Sequence, residues 1–222
     1  MKFSEVQFQP WHTVMANFYI CQTCSVVDSD RDRQKVGSPC KQCGTPSPSA
    51  RFHFGLNSLV LVNALQDFYF LRGAKPPADR DGLVANVYSN ETDTRIVMPV
   101  LFCALWDTLT TQLCQNVMRA KLIPEEEEKR LLQKFKFARD RRTRLLPELT
   151  SEQWDDALAA LPNSAIHIEH FNFFRQLNTK RNAFIHEGSP WQFKDDELEQ
   201  IPEEVWPSFN LFAQLHNRYV VS

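Results

Sequence analysis

Apolar residues recur at helical spacing from about residue 51 onward, and before that point they do not. After Pro99, Leu101, Leu105, Leu109, Leu113 and Val117 form an unbroken i, i+4 row, the pattern of a helix with one buried stripe. An earlier helix is predicted from about Phe54 to Arg72 on Leu56, Leu59, Val60, Leu65, Phe68 and Leu71, and "GAKPPADRDGL" breaks it. "IPEEEEKRLLQKF" predicts a third, with Pro124 in its first turn and Glu125 to Glu128 at the positive end of the helix dipole. "TSEQWDDALAAL" reads as a short helix capped by Thr150 or Ser151. Two more are expected, from about Ile166 to Glu187 and, after Pro202, from about Glu203 to Val220. Little in this stretch alternates like a strand, so residues 51–222 are expected to form an all-α domain.

The part before it, residues 1–50, is rich in Cys, Ser, Asp and Pro. "NFYICQTC" reads as a short strand entering a turn, "VVDSDRDRQKVGSPC" as a polar loop and "GTPSPS" as a linker. Cys21-x-x-Cys24 and Cys40-x-x-Cys43 are fifteen residues apart, with Gly44 where the second turn must bend. Two such pairs supply four thiolates that close a tetrahedron around Zn²⁺. Four unrelated thiols are the poorer account, because the region has too little apolar material to fold without metal. An all-cysteine set leaves no open coordination position, so the expected zinc ribbon is structural. Arg31, Arg33 and Lys35 are balanced by Asp28, Asp30 and Asp32, which argues against a nucleic-acid surface on its loop. Cys103 and Cys114 fall in the apolar second helix and read as buried structural thiols.

Composition adds exclusions. The 222 residues are 43% hydrophobic and 23% charged, ordinary for a globular chain. A net charge of -2 gives no global attraction to nucleic acid, so any such binding needs a local basic patch. "MKFSEVQFQPWHTV" lacks the apolar core of a signal peptide. "GLNSLVLVNALQDFYFL" is interrupted by Asn57, Asn63, Gln66 and Asp67, so no membrane span is expected. A cytoplasmic protein with reduced cysteines follows as the expectation.

The stretch "KRNAFIHEG", Lys180 to Gly188, carries the second candidate chemistry. On a helical wheel Phe174, Leu177, Phe184 and Ile185 make an apolar stripe with Arg181 inside it. Asn178, Asn182 and His186 form a polar row on its shoulder. Gly188 reads as the stop after the helix, which places His186 in the last turn, where the dipole favours positive charge. A guanidinium in an apolar stripe needs a carboxylate, a phosphate or solvent. The Asn182 amide, one turn before His186, is placed to orient the imidazole. The set suits metal-independent RNA cleavage: an imidazole to move protons, a guanidinium to hold the extra charge on phosphorus, and the RNA's own 2′-OH as nucleophile. One His does not serve easily as acid and base together, so the chemistry asks for a two-fold dimer. An Arg and a His five residues apart also arise by chance, and a helix-terminal His is often only a dipole partner.

"RNAFIHEG" resembles the R-N-x-x-x-H signature of HEPN domains (higher eukaryote and prokaryote nucleotide-binding), on the penultimate long helix of an all-α chain. The resemblance covers residues 52–220 in helix order and is close only over these eight. It implies an antiparallel helical bundle that dimerises with its own copy and is often a metal-independent endoribonuclease in defence, toxin–antitoxin or RNA-processing systems. By position, Arg181 and His186 would be catalytic and Asn182 supporting. Asp107, in "ALWDTLTTQL", would be the acidic residue that many members carry on an earlier helix. A Tyr two residues after the His marks one toxin subgroup; Gly188 stands there, so regulation through that tyrosine is not supported.

The basic run "KFKFARDRRTRLLP" holds Lys134, Lys136, Arg139, Arg141, Arg142 and Arg144 and is expected on the C-terminal half of the third helix. It could track RNA phosphates, but a solvated face offsetting the helix dipole is preferred. Phe135 and Phe137 are expected to include one core contact rather than a stacking platform. The expected function is a homodimeric endoribonuclease that leaves a 2′,3′-cyclic phosphate, with RNA as substrate and an antitoxin or other protein as partner. The alternative is a non-catalytic nucleotide-binding or scaffold protein with the ribbon as docking module.

Overall fold

The computed structural model describes residues 18–29, 39–46, 49–51, 56–70, 97–187 and 193–221. Most of the loop carrying Arg31, Arg33 and Lys35, the segment "GAKPPADRDGL" and Gly188 lie outside them.

Three short strands form the N-terminal sheet. They are β1 (Phe18–Cys21), β2 (Val27–Ser29) and β3 (Ser49–Arg51), in the order β2-β1-β3 with both pairings antiparallel. Ile20 sits opposite Val27 on one side and Ala50 on the other. The third strand therefore runs to Arg51, the residue at which the helical texture begins.

The rest of the described chain is helical. Helix α1 spans Leu56–Phe70 and α2 spans Met98–Ala120. In α2 the row Leu105, Leu109, Leu113 and Val117 is buried, as its spacing requires. In α1 Leu65 is buried but Val60 is 58% exposed, outside the stripe expected of it. Helix α3, Glu125–Lys134, opens on four glutamates and ends sooner than the basic run implied. Phe135, buried to 1% exposure, leaves the helical path and anchors the break, while Phe137 is exposed. The run resumes as α4, made of Ala138–Asp140, a π-helical turn Arg141–Leu145 and Leu146–Thr150. Lys134 thus closes α3, whereas Arg139 to Arg144 lie on α4. Helix α5, Trp154–Ala159, has Gln153 at its N-cap, not Thr150 or Ser151. Thr150 ends α4, and Ser151 closes it in the left-handed conformation at φ 60°.

Helix α6 spans Ser164–Glu187. Helix α7 spans Asp195–Val220 and takes Pro202 and Pro207 inside it, two turns more than the proline boundary predicted. Each internal proline removes a backbone hydrogen bond. The buried face Leu198, Ile201, Val205 and Phe209 nevertheless runs through both, so packing carries the helix where propensity would stop it. Its start is fixed by Glu197, whose Oε2 accepts the Lys194 N–H at 3.0 Å.

The core centres on Trp106 of α2. Its ring stacks on Phe174 of α6 at 4.4 Å and meets Phe212 of α7 edge-on at 5.3 Å. Its indole N–H donates to Ser208 Oγ at 2.9 Å. One side chain thereby joins α2, α6 and α7, two of which carry the candidate site. The sheet docks on α7: Phe18 stacks on Trp206 at 6.0 Å, and Asn217 accepts the Val27 N–H and donates to its carbonyl, both at 2.6 Å. Among the described residues no helix is long and apolar enough to cross a membrane.

Candidate functional site

The two cysteine pairs fold into matching turns. Ser25 N–H donates to the Cys21 carbonyl and Gly44 N–H to the Cys40 carbonyl, both at 2.8 Å. Cys21 N–H reaches Val26 O at 2.8 Å, and Cys40 N–H reaches Thr45 O at 3.1 Å. The residue after each pair is left-handed, Ser25 at φ 60° and Gly44 at φ 70°. Gly44 adopts this conformation without steric cost, and Ser25 does so against its Cβ.

These turns bring the sulfurs of Cys21, Cys24, Cys40 and Cys43 within 4.8 Å of one another. Cys21 and Cys43 are 3.9 Å apart, Cys24 and Cys40 3.6 Å. A tetrahedral zinc with bonds near 2.3 Å needs sulfurs about 3.8 Å apart. The four cysteines therefore fit a zinc site. Hydrogen bonding with Thr45 holds the Cys43 thiol down to about 6, while desolvation and three sulfur neighbours push Cys24 up to about 12. A cation between the four sulfurs would convert all of them to thiolates.

The second candidate site lies where α2, α4 and α6 meet. Arg181 is half-buried on α6; its Nη1 donates to Asn182 Oδ1 at 2.9 Å, and its buried Nε has no hydrogen-bond partner among the described residues. Sequence reasoning gave Asn182 the task of orienting His186, but its amide oxygen is engaged by Arg181. His186 is exposed in the last turn of α6. Ile185, expected in the apolar stripe, is 48% exposed beside it, while Phe174 and Leu177 are buried.

Asp107 on α2 faces this cluster. Its Oδ1 is 3.9 Å from Nη1 of Arg142, on the π-helical turn. Burial raises the Asp107 carboxyl above its ordinary value, and Arg142, Arg181 and Arg141 oppose the rise in that order. Arg142 is itself buried; its Nη1 donates to Thr110 Oγ1 at 3.2 Å and its guanidinium lies 5.0 Å from the Phe174 ring centre. Arg141 donates to Thr111 Oγ1 at 2.6 Å. Two residues of the basic run therefore point inward, against the solvated face expected for all of it, while Arg139 and Arg144 are exposed. No local sequence signal separates Arg142 from its neighbours, because the π-helical turn sets which arginine faces in.

Cys103 and Cys114 are fully buried, and burial pushes both thiols up to about 12, which leaves them protonated and inert. No protein-family model, curated protein or solved structure matches the chain.

Proposed function

We propose that the protein is a metal-independent endoribonuclease of the HEPN type, working as a homodimer with a zinc ribbon that serves structure. The observation that carries this reading is the pairing of an exposed His186 at a helix end with a half-buried Arg181 whose Nε lacks a partner among the described residues. A buried donor of this kind is costly unless a ligand or a second subunit satisfies it. A phosphate oxygen is the acceptor a guanidinium binds best.

In the proposed reaction the 2′-oxygen of RNA attacks the adjacent phosphorus. A neutral His186 takes the 2′-OH proton, the P–O5′ bond breaks, and a protonated His186 of the second copy gives its proton to the leaving 5′-oxygen. Arg181 stabilises the added negative charge, and the product ends in a 2′,3′-cyclic phosphate. Asp107 holds Arg142 and, through its field, Arg181. This makes it a positioning residue. RNA is thus the substrate and a second copy the partner; a defence or toxin-like role would follow from such an activity.

A second reading is favoured by one detail. The Asn182 amide oxygen bonds Arg181, and among the described residues no hydrogen bond holds the His186 imidazole for proton transfer, as a scaffold that only binds nucleotides would tolerate. Incubating RNA with purified protein in brief, mild EDTA separates the two. Cleavage leaving cyclic-phosphate ends, reduced at least about a hundredfold in His186→Ala and Arg181→Ala, is the expected result. Folded, dimeric wild type as inert as the variants on varied RNAs would leave the scaffold reading.

A further inference from the structure

A groove of about 810 Å³ opens between α4, α5 and α6. It lies within the size range of ligand sites and holds about one or two nucleotides. Three guanidiniums line it, from Arg139, Arg142 and Arg175, against a single carboxylate from Asp155. Arg139 and Arg175 are exposed and form no ion pair with a described residue. Beneath them lies an aromatic floor: Arg175 sits 5.8 Å from the ring centre of Phe171, and Arg142 stacks on Phe174.

The wall holds an independent sign of a missing ligand. Trp154 lines the groove and is 4% exposed, yet its Nε1 has no hydrogen-bond partner among the described residues. An indole N–H only donates, so its complement is an acceptor. The side-chain amides of Asn172, Asn178 and Gln176 offer further donors and acceptors along the same surface. An anionic, acceptor-rich ligand with flat polar edges matches this set. The groove also leads toward the candidate site: Asn178 stands one turn before Asn182 on α6, and Arg142 reaches Asp107 at 3.9 Å.

The geometry points to this groove as a binding site for single-stranded RNA next to the scissile bond, with Arg139 and Arg175 on phosphates and Trp154 donating to the strand. The assignment of RNA rests on the nuclease reading; the assignment of an anionic nucleotide strand rests on the groove. Arg175 and Arg139 then set affinity for the strand and leave the chemical step to Arg181 and His186.

The test uses the full chain and a fluorescent 2′-O-methyl RNA oligonucleotide, which cannot cleave because its nucleophile is blocked. The double variant Arg139→Gln/Arg175→Gln replaces two exposed side chains, so thermal melting should hold near wild type. Its Kd is expected to rise about tenfold or more, and the slope of log affinity against log salt to flatten by about 1.4, from about 0.7 per phosphate contact. Trp154→Phe keeps an aromatic ring but removes the N–H and part of the indole, and with the fold verified by melting it is expected to weaken binding about threefold to tenfold. Wild-type affinity and salt slope in the double variant would overturn the proposal. Competition by poly-glutamate as strong as that by RNA of equal charge would overturn it too, by making an acidic polypeptide the ligand. Failure of the nuclease reading looks different: the oligonucleotide still binds through these arginines, but unmodified RNA is not cut.

Discussion

His167 shows how one buried side chain imposes a pH dependence on the fold. It sits on α6 with 3% of its surface exposed; Nε2 lies 3.1 Å from Gln214 Oε1, and Nδ1 has no partner among the described residues. Burial lowers its pKa below the ordinary 6.5. The unfolded chain therefore takes up a proton at this histidine first, near pH 6.5. Stability that is full above that value falls as pH drops below it toward the lower folded pKa, because the unfolded state binds more protons. His216 on α7 is lowered by burial in the same way and adds to the slope. Thermal melting measured from neutral pH down to about 5.5 should show a falling midpoint. His167→Gln should flatten the fall, and an unchanged slope would show that His167 is hydrated or paired in the native state. The candidate site obeys the same rule at residue scale: burial lowers the Arg142 pKa, and Thr110, Asp107 and the Phe174 face offset only part of that cost.

At the scale of elements, α2 organises the molecule. Its Leu row was legible because an i, i+4 pattern leaves few other folds open. What the pattern did not reveal is that Trp106 reaches across to α6 and α7 and so fixes how the helix carrying Arg181 lies against the helix carrying Asp107. Trp106→Ala should cost about 3–5 kcal/mol in chemical denaturation, and Trp106→Phe should cost less while still leaving Ser208 without its donor. A loss below about 1 kcal/mol for the alanine variant would mean that α6 and α7 repack without it. The sequence was misleading where local and tertiary terms compete. Pro202 looked like the start of the last helix, yet α7 begins at Asp195 because its buried face continues through both prolines. Thr150 and Ser151 looked like caps for α5, but they close α4 instead.

At the scale of the whole molecule, the ribbon is joined to the helices by more than its chain. Phe18 is fully buried against Trp206 and Phe209, and Asn217 holds β2 by both backbone groups. Metal removal should therefore be felt in the helical part. Strong chelation, or Cys40→Ala, is expected to release Phe18 and expose Trp206, seen as dye binding and red-shifted tryptophan emission, while most helical circular dichroism persists. Full loss of the helical signal would mean that the helices depend on the ribbon to fold. No change in tryptophan emission would mean that the sheet holds without metal, through its contacts with α7.

The amino-acid sequence by itself determined the mostly helical class, the four-cysteine cluster and the inert pair Cys103 and Cys114. Each depends on spacing within a short stretch, where periodicity and turn geometry leave one economical arrangement. It also placed Arg181, Asn182 and His186 on one helix near its end. The family resemblance pointed to Asp107, but the tertiary structure alone decided that Arg142 joins it, from a π-helical turn 35 positions later in sequence. It decided as well that Asn182 bonds Arg181, and that Arg139 and Arg175 open on a common groove with Trp154. Such meetings depend on how helices pack and rotate against one another, which is fixed by the buried faces of all of them together and written in no single segment.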